Sequence, residues 1–314
     1  MTGKVAIIGG AGRVGSNAAY ALQLGHACEE IVLVDVAAEA ARGEALDLTH
    51  GRAAAGGPRI RAGDYQAAAG SDITIVTAGL RRRPEESRLE LMERNAALFR
   101  EIIHSLRELK LPPDSILLVV TNPVDILTYL AAAELGWPAT RAVGLGTVLD
   151  TLRFRSLLAE SLGLDPCRLE ALILGEHGDS MVPIYSSLRC DGKPMSSLAG
   201  YSEEIAKKAF EVTRTAGAEC LRLKGGAGYA VGLAVRQVVT ALLQDTGAVL
   251  PVSTVQASGE CQGVALSLPT RIGRAGVLGV APLELSPEER RGLARSAEVL
   301  RKTISSLRQA DRNP

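Results

Sequence analysis

The sequence predicts an α/β fold, a doubly wound parallel sheet followed by a C-terminal α+β unit, and three observations carry that prediction. Short unbroken apolar runs, of the kind buried on both faces, alternate with helical periodicity through the first 145 residues. A glycine-rich turn joins the first apolar run to the first helical stretch. Beyond about Gly146 the alternation stops, and long helices, a hairpin signal and short strands take over.

Taken in order, Val5-Ala6-Ile7-Ile8 reads as a buried strand, Arg13 to Leu24 as a helix, and Ile31 to Asp35 as a second strand, which together make one βαβ unit. Helical spacing returns from Glu39 to Leu48. Ile73 to Val76 and Ile116 to Val120 are further buried strands. Between them Leu89 to Leu109 is helical and is stopped by Pro112-Pro113. In the second half a helix from Asp150 to Leu162 is closed by Gly163 and Pro166, and Leu188 to Pro194 looks like a hairpin around Asp191-Gly192. Two long helices follow, Ser202 to Leu221 and Tyr229 to Leu243, then strands around Val249 to Val255 and Val264 to Leu268. A last helix from Pro287 to Leu307 has Ser286 as N-cap and acidic residues in its first turn. No repeat or low-complexity linker separates the halves, so residues 1–145 and 146–314 are expected to pack tightly with a site between them.

Composition narrows the partners. Lysine plus arginine and aspartate plus glutamate each total 35 of 314 residues, so a general electrostatic attraction to nucleic acid or an anionic membrane is not expected. The chain enters an apolar strand almost at once, without a signal-peptide pattern, and no apolar stretch is long enough to span a bilayer. Cys28, Cys167, Cys190, Cys220 and Cys261 are odd in number and scattered, which suits free thiols in a cytoplasmic protein and offers no metal-ligand spacing.

Gly10-Ala11-Gly12-Arg13-Val14-Gly15 matches G-x-G-x-x-G in the context that gives the motif meaning, after a strand and opening a helix. The glycines allow a tight turn and close approach of backbone to a pyrophosphate resting on the helix N-terminus. Their simpler use would be helix–strand packing alone. Asp35, at the end of the second strand, can accept hydrogen bonds from ribose hydroxyls and would repel a 2′-phosphate, which favours NAD over NADP.

Arg81-Arg82-Arg83 follows the run Ile73 to Gly79, and Arg88 comes five positions after Arg83, at the edge of the sheet where ligands bind. Guanidinium groups there point to an anionic ligand, the alternative being a solvated charged loop. Thr121-Asn122-Pro123 brings an amide to the same edge. Of the four histidines, His26, His50 and His104 lie near or within helices, while His177 follows the apolar run Leu172-Ile173-Leu174 in Gly175-Glu176-His177-Gly178-Asp179-Ser180, an acid/base candidate with room for a ligand. Asp150 and Arg153, three apart near a helix start, share one face.

The glycine motif, Thr121-Asn122-Pro123-Val124-Asp125, Asp150-Thr151-Leu152-Arg153-Phe154-Arg155 and Gly175-Glu176-His177-Gly178-Asp179, in that order and spacing, resemble the lactate/malate dehydrogenase family over nearly the whole chain. The resemblance implies a Rossmann domain over 1–145, a substrate-binding catalytic domain over 146–314, and NAD-dependent interconversion of a 2-hydroxy and a 2-oxo acid. It makes His177 the proton donor and acceptor and Asp150 the carboxylate supporting it. Arg153 becomes the grip on the substrate carboxylate, Arg88 the mobile-loop arginine that polarises the carbonyl, and Asn122 a contact to substrate and nicotinamide ribose. Thr77, Ala78, Gly79, Asn95 and Thr121 are implied as further cofactor contacts, beside Gly10, Gly12, Arg13, Val14, Gly15 and Asp35. A homotetramer is implied, with a dimer as the alternative.

Within that family the residue matching Arg82 separates substrates, glutamine being usual in lactate enzymes and arginine in malate enzymes. A second carboxylate in a closed site needs a cation, so Arg82, supported by Ala227, predicts a dicarboxylate substrate and a malate dehydrogenase. Glu86-Ser87-Arg88-Leu89 and Val264 to Pro269 look more lactate-like, and an L-lactate dehydrogenase is the alternative. A non-catalytic NAD-sensing protein is a remote third reading, since a sensor needs no acid/base pair.

Overall fold

The apolar runs of the first half form a parallel sheet whose order reverses beside its first strand. The computed structural model describes residues 3–81, 83 and 85–310, apart from the side chains of residues 88 and 310. Strands β1 (Lys4–Ile8), β2 (Glu30–Val34), β3 (Arg59–Gly63), β4 (Ile73–Val76), β5 (Ile116–Val119) and β6 (Ala142–Gly144) are all parallel. They alternate with helices α1 (Arg13–Leu24), α2 (Ala38–Ala55), α3 (Arg88–Arg107) and α4 (Val124–Glu134). The sheet is eight-stranded in the order 265–267, 253–255, β6, β5, β4, β1, β2, β3. The chain runs outward from β1 through β2 to β3 and returns on the other side at β4, so the switch point lies between the carboxyl ends of β1 and β4. Ile7, Ile31, Ile75 and Leu118 are fully buried in it, each side chain contributing about 1.5–3 kcal/mol.

The second half adds α5 (Val148–Leu162), α6 (Glu203–Lys224), α7 (Tyr229–Leu243) and α8 (Pro287–Ala310), with short antiparallel strands between them. Ser253–Val255 pairs antiparallel with β6 and with Ala265–Ser267, so residues from beyond Gly146 extend the large sheet itself. One core cluster joins α3, α4 and α8 beneath the sheet, and a second joins α1 and α7 above it. A third, around Phe154, Leu158, Ile173 and Met195, belongs to the second half alone.

Several elements escape the pattern reading, among them β6 and the strands Thr270–Gly273 and Gly276–Val280. Strand β3 has a single buried apolar side chain, Ile60, and is an edge strand, so it lacks a continuous apolar run. Helix α4 is buried nearly all round and shows no polar face. The run Val249 to Val255 is split at Pro251, with Val249–Leu250 pairing to a separate small sheet. The hairpin forms as read, Arg189 opposite Pro194, with Asp191 and Gly192 at positive φ of 49° and 74° in the turn. Among the described residues no helix is long and apolar enough to cross a membrane.

Candidate active site

At the end of β1 the chain turns back on itself without side chains. The Gly9 and Gly10 amides both donate to the Val34 carbonyl, at 2.8 and 3.0 Å. A Cβ on Gly10 would lie 2.8 Å from the Leu33 Cβ, and one on Gly15 would collide with the Gly9 carbonyl, so glycine at both positions keeps the turn tight and open toward solvent. Gly12 caps α1 with no side-chain hydrogen bond, which leaves the first amides of that helix for a ligand. Asp35 stands just past β2, its Oδ2 accepting from the Ala11 amide and its Oδ1 from the Ala37 amide, both at 3.0 Å, beside the fully exposed Val36. A glycine cradle, a helix N-terminus and a carboxylate on the neighbouring strand fit the pyrophosphate and adenosine ribose of NAD.

Across the switch point, Thr77 and Ala78 close on β1, their amides donating to the Ile8 carbonyl at 2.8 and 3.0 Å. The Thr77 hydroxyl donates to the same carbonyl, and the Thr121 hydroxyl donates to the Ala78 carbonyl at 2.7 Å. Asn95 on α3 is buried and accepts the Leu80 amide at 2.8 Å. Gly12, Arg13, Val14, Thr77, Gly79 and Asn122 line one cavity of about 530 Å³, while Gly10, Gly15, Asp35, Ala78, Asn95 and Thr121 do not. For Asn95 and Thr121 the geometry shows a supporting role, fixing the loops that make the wall.

The other wall of that cavity carries Asp150, Arg153 and His177. Asp150, 1% exposed in the first turn of α5, shares its two oxygens. Oδ1 accepts from Arg153 Nη1 at 3.0 Å and Oδ2 lies 2.5 Å from His177 Nδ1. An ionised carboxylate only accepts, so Nδ1 is the donor and Nε2 is left for a ligand. The turn from Gly175 to Ser180 is pinned from several directions. Gly175 exchanges both backbone hydrogen bonds with Ser267, the Glu176 amide donates to Ser296 Oγ on α8 at 2.7 Å, and the His177 amide donates to Asp125 Oδ2 at 2.7 Å. Thr151 Oγ1 accepts the Ile173 amide, tying the preceding strand to α5.

Opposing influences set the charges. Burial alone would lower the His177 imidazole, but the charge and hydrogen bond of Asp150, helped by Asp125, hold it above its ordinary value. Burial alone would raise Asp150, and the His177 and Arg153 cations overcome it and hold the carboxyl below the usual range. Asp125 is the exception. Burial pushes it up to about 6, against the hydrogen bonds from Ser253 and the His177 amide.

The sequence-predicted cluster of arginines is only partly placed. Arg81 is exposed and lines the cavity, and the Arg83 amide donates to Glu86 at 2.8 Å. Arg82 and the side chain of Arg88 lie outside the described residues. The backbone of Arg88 opens α3 behind a capping box in which Ser87 Oγ accepts the Glu90 amide and Glu90 accepts the Ser87 amide. His26, His50 and His104 are elsewhere, His104 beside Glu108 at 3.5 Å on an exposed helix face. A larger cleft of about 1020 Å³ lies between residues 179–207 and α8, but neither the glycine turn nor the His177 ring opens into it. The sequence reading passed over Asp125, Ser253 and Ser296. Only Asp125 left a signal, a carboxylate at the start of a largely apolar helix, where burial demands partners.

Residues 3–144 match the NAD-binding domain of lactate/malate dehydrogenase, and residues 147–310 match its alpha/beta C-terminal domain. The L-lactate dehydrogenase of Synechococcus sp. (strain JA-3-3Ab) is 44% identical over 301 residues, 95% of this chain and 98% of that protein. L-lactate dehydrogenase B of Hordeum vulgare is 45% identical over 309 residues, 95% of this chain and 88% of that one. The crystal structure of the minor L-lactate dehydrogenase from Enterococcus mundtii, in its ligands-bound form, superimposes with a TM-score of 0.92 at 34% identity, covering 97% of this chain and 98% of that one. These relatives overturn the malate expectation and the dicarboxylate substrate that went with it. That expectation rested chiefly on one charge, Arg82, in a run of three arginines, with Ala227 as its support. A guanidinium on the loop is attracted to any anionic substrate, so its presence does not count carboxylates.

Proposed function

The chain belongs to the lactate/malate dehydrogenase family, and we propose that within it the protein is an NAD-dependent L-lactate dehydrogenase interconverting L-lactate and pyruvate. One observation carries the chemistry, the 2.5 Å contact between Asp150 Oδ2 and His177 Nδ1 in a wall that also presents Arg153. It leaves the imidazole facing the cavity with Nε2 turned to the ligand, so the cation can give its Nε2 proton to a developing alkoxide and the neutral ring can take one from a hydroxyl. Asp150 orients the ring and stabilises its cation, and the same carboxylate fixes Arg153, whose remaining donors grip the substrate carboxylate bidentately. NAD, when bound, accepts or supplies the hydride.

Its pyrophosphate would rest on Gly10, Gly12, Arg13, Val14 and Gly15, and its adenosine ribose on Asp35. Asn122, exposed at the cavity edge, orients the substrate oxygen. Arg88, the first residue of α3, is assigned the polarisation of the reacting carbonyl. Arg81 on the rim adds a positive field that favours anionic 2-oxo acids. In this reading residues 1–145 bind the cofactor and 146–314 carry the substrate chemistry, in a cytoplasmic homotetramer.

The test is steady-state reduction of pyruvate and of oxaloacetate with NADH. The expected result is a higher kcat/KM for pyruvate, and a clear preference for oxaloacetate overturns the assignment. The NAD-sensing alternative falls if any 2-oxo acid is turned over.

A further inference from the structure

Asp125 is the buried carboxylate that the chemistry above does not use. It lies in the first turn of α4, three residues after Asn122, and is 3% exposed. Each oxygen holds a different part of the molecule. Oδ2 accepts the backbone amide of His177 at 2.7 Å, and Oδ1 accepts the hydroxyl of Ser253 at 2.5 Å. Ser253 opens the short strand that pairs with Gly144 at the end of β6. The carboxylate therefore ties together the helix that follows the Asn122 loop, the turn that carries the imidazole, and the edge of the large sheet.

That arrangement is costly without a return. An ion of this size taken out of water is penalised by several kcal/mol, and among the described residues its hydrogen bonds come from a backbone amide and a serine hydroxyl, not from a lysine or arginine. A serine or threonine hydroxyl, whose oxygen has two lone pairs, could accept two donors at lower cost if filling the space were the only requirement. An ionised carboxylate does two things that neither replacement does. It accepts strongly from both partners at once, and it places a negative charge at the backbone amide of His177, where it adds to Asp150 in favouring the imidazole cation.

We propose that Asp125 is a positioning residue for the reaction of the preceding subsection, clamping the His177 amide so that the imidazole is held between Asp150 and the cavity and supported as a cation by two carboxylates. The inference rests on that reading of His177 as the acid/base. Among the described residues, the charged groups acting on the ring are Asp150 and Arg153 from α5 and Asp125 from α4, Glu176 on its own turn acts on Asp125, and Asp179, Arg81 and Arg214 line the same cavity. Asp125 titrates at about 6, below the raised His177, so at neutral pH it is charged when the imidazole is charged.

Asp125→Asn keeps the size and removes both the charge and one acceptor. In the full-length enzyme the expected result is a fall in kcat for pyruvate of about 10- to 100-fold, the scale of a misplaced reacting group, with NADH affinity within about twofold by fluorescence titration. The His177 ring titration, followed by NMR without substrate, should move to lower pH, and the alkaline limb of pyruvate reduction should move with it. A purely structural role would not shift that titration. Ser253→Ala, which leaves the carboxylate in place and removes one donor, covers the case in which Asp125→Asn does not fold. It should lower kcat by a smaller factor and shift the His177 titration in the same direction.

A folded Asp125→Asn with wild-type kcat and an unmoved His177 titration overturns the proposal, as does the same pair of results in Ser253→Ala. Absence of pyruvate reduction in the wild type overturns the lactate reading instead, and the ring titration still tests the clamp. The two failures are thus distinguishable.

Discussion

The glycine turn after β1 and the histidine turn after Leu174 are both short, glycine-flanked loops at the same cavity, yet they are held in opposite ways. The first is backbone against backbone. Gly9 and Gly10 share the Val34 carbonyl, and added methyl groups at Gly10 or Gly15 would strike neighbouring strand or turn atoms. The second is side chain against backbone, with Asp125 and Ser296 accepting the amides of His177 and Glu176 from remote segments, and Asp150 fixing the ring. A ligand that is recognised by amides needs only an open, preformed turn. A group that must gain and lose a proton needs its charge balanced from outside its own loop.

The contrast can be broken most forcefully at the imidazole. His177→Ala should lower kcat for pyruvate by about 10²- to 10⁴-fold while NADH binding, measured by fluorescence titration, stays near wild type. Loss of NADH binding in that variant would show that the two turns are not separable in the way described. Gly15→Ala should do the reverse. Overpacking against the Gly9 carbonyl costs about 1–3 kcal/mol, so the thermal midpoint should fall and NADH affinity weaken by roughly tenfold or more, with kcat at saturating NADH little changed.

A smaller effect sharpens the electrostatic side. The folded His177 is raised above its ordinary value of 6.5, so the protonated form persists to higher pH than in a free histidine. Pyruvate reduction, which consumes that proton, should hold below the raised value and decline as pH rises through it, while lactate oxidation rises over the same interval. The folding stability supplied by the same pairing is complete below about 6.5 and is lost as pH rises through the folded value. Initial rates in both directions across pH 6–9 would check it, and coincident inflections at or below 6.5 would refute it.

The same contrast explains what could be read in advance. Local structure was legible wherever a neighbouring stretch of chain carries the reason for it. The strand, glycine turn and helix of the cofactor cradle, the acidic end of β2, and the Asp150–Arg153 spacing are all within a few residues of their cause. What was not legible depends on distant partners. Asp125 meets Ser253 across 128 residues and His177 across 52, and Ser296 reaches the His177 turn from α8. Strand β3 and helix α4 were missed because one has too little apolar pattern and the other too much. The substrate assignment failed for a related reason. Two positions, Arg82 and Ala227, were asked to decide a question that a likeness over 301 residues answers differently.

The strands 253–255 and 265–267 carry an implication for how separable the two halves are. They lie edge to edge with β6, so the sheet that cradles the cofactor is finished by residues encoded more than a hundred positions later. A fragment ending near residue 145 would leave β6 as a bare edge, a template for pairing with other chains, and would uncover the Asp125 carboxylate. The cofactor-binding half of this protein is therefore not a portable cassette. Grafting it onto another catalytic partner would require that partner to bring its own two antiparallel strands.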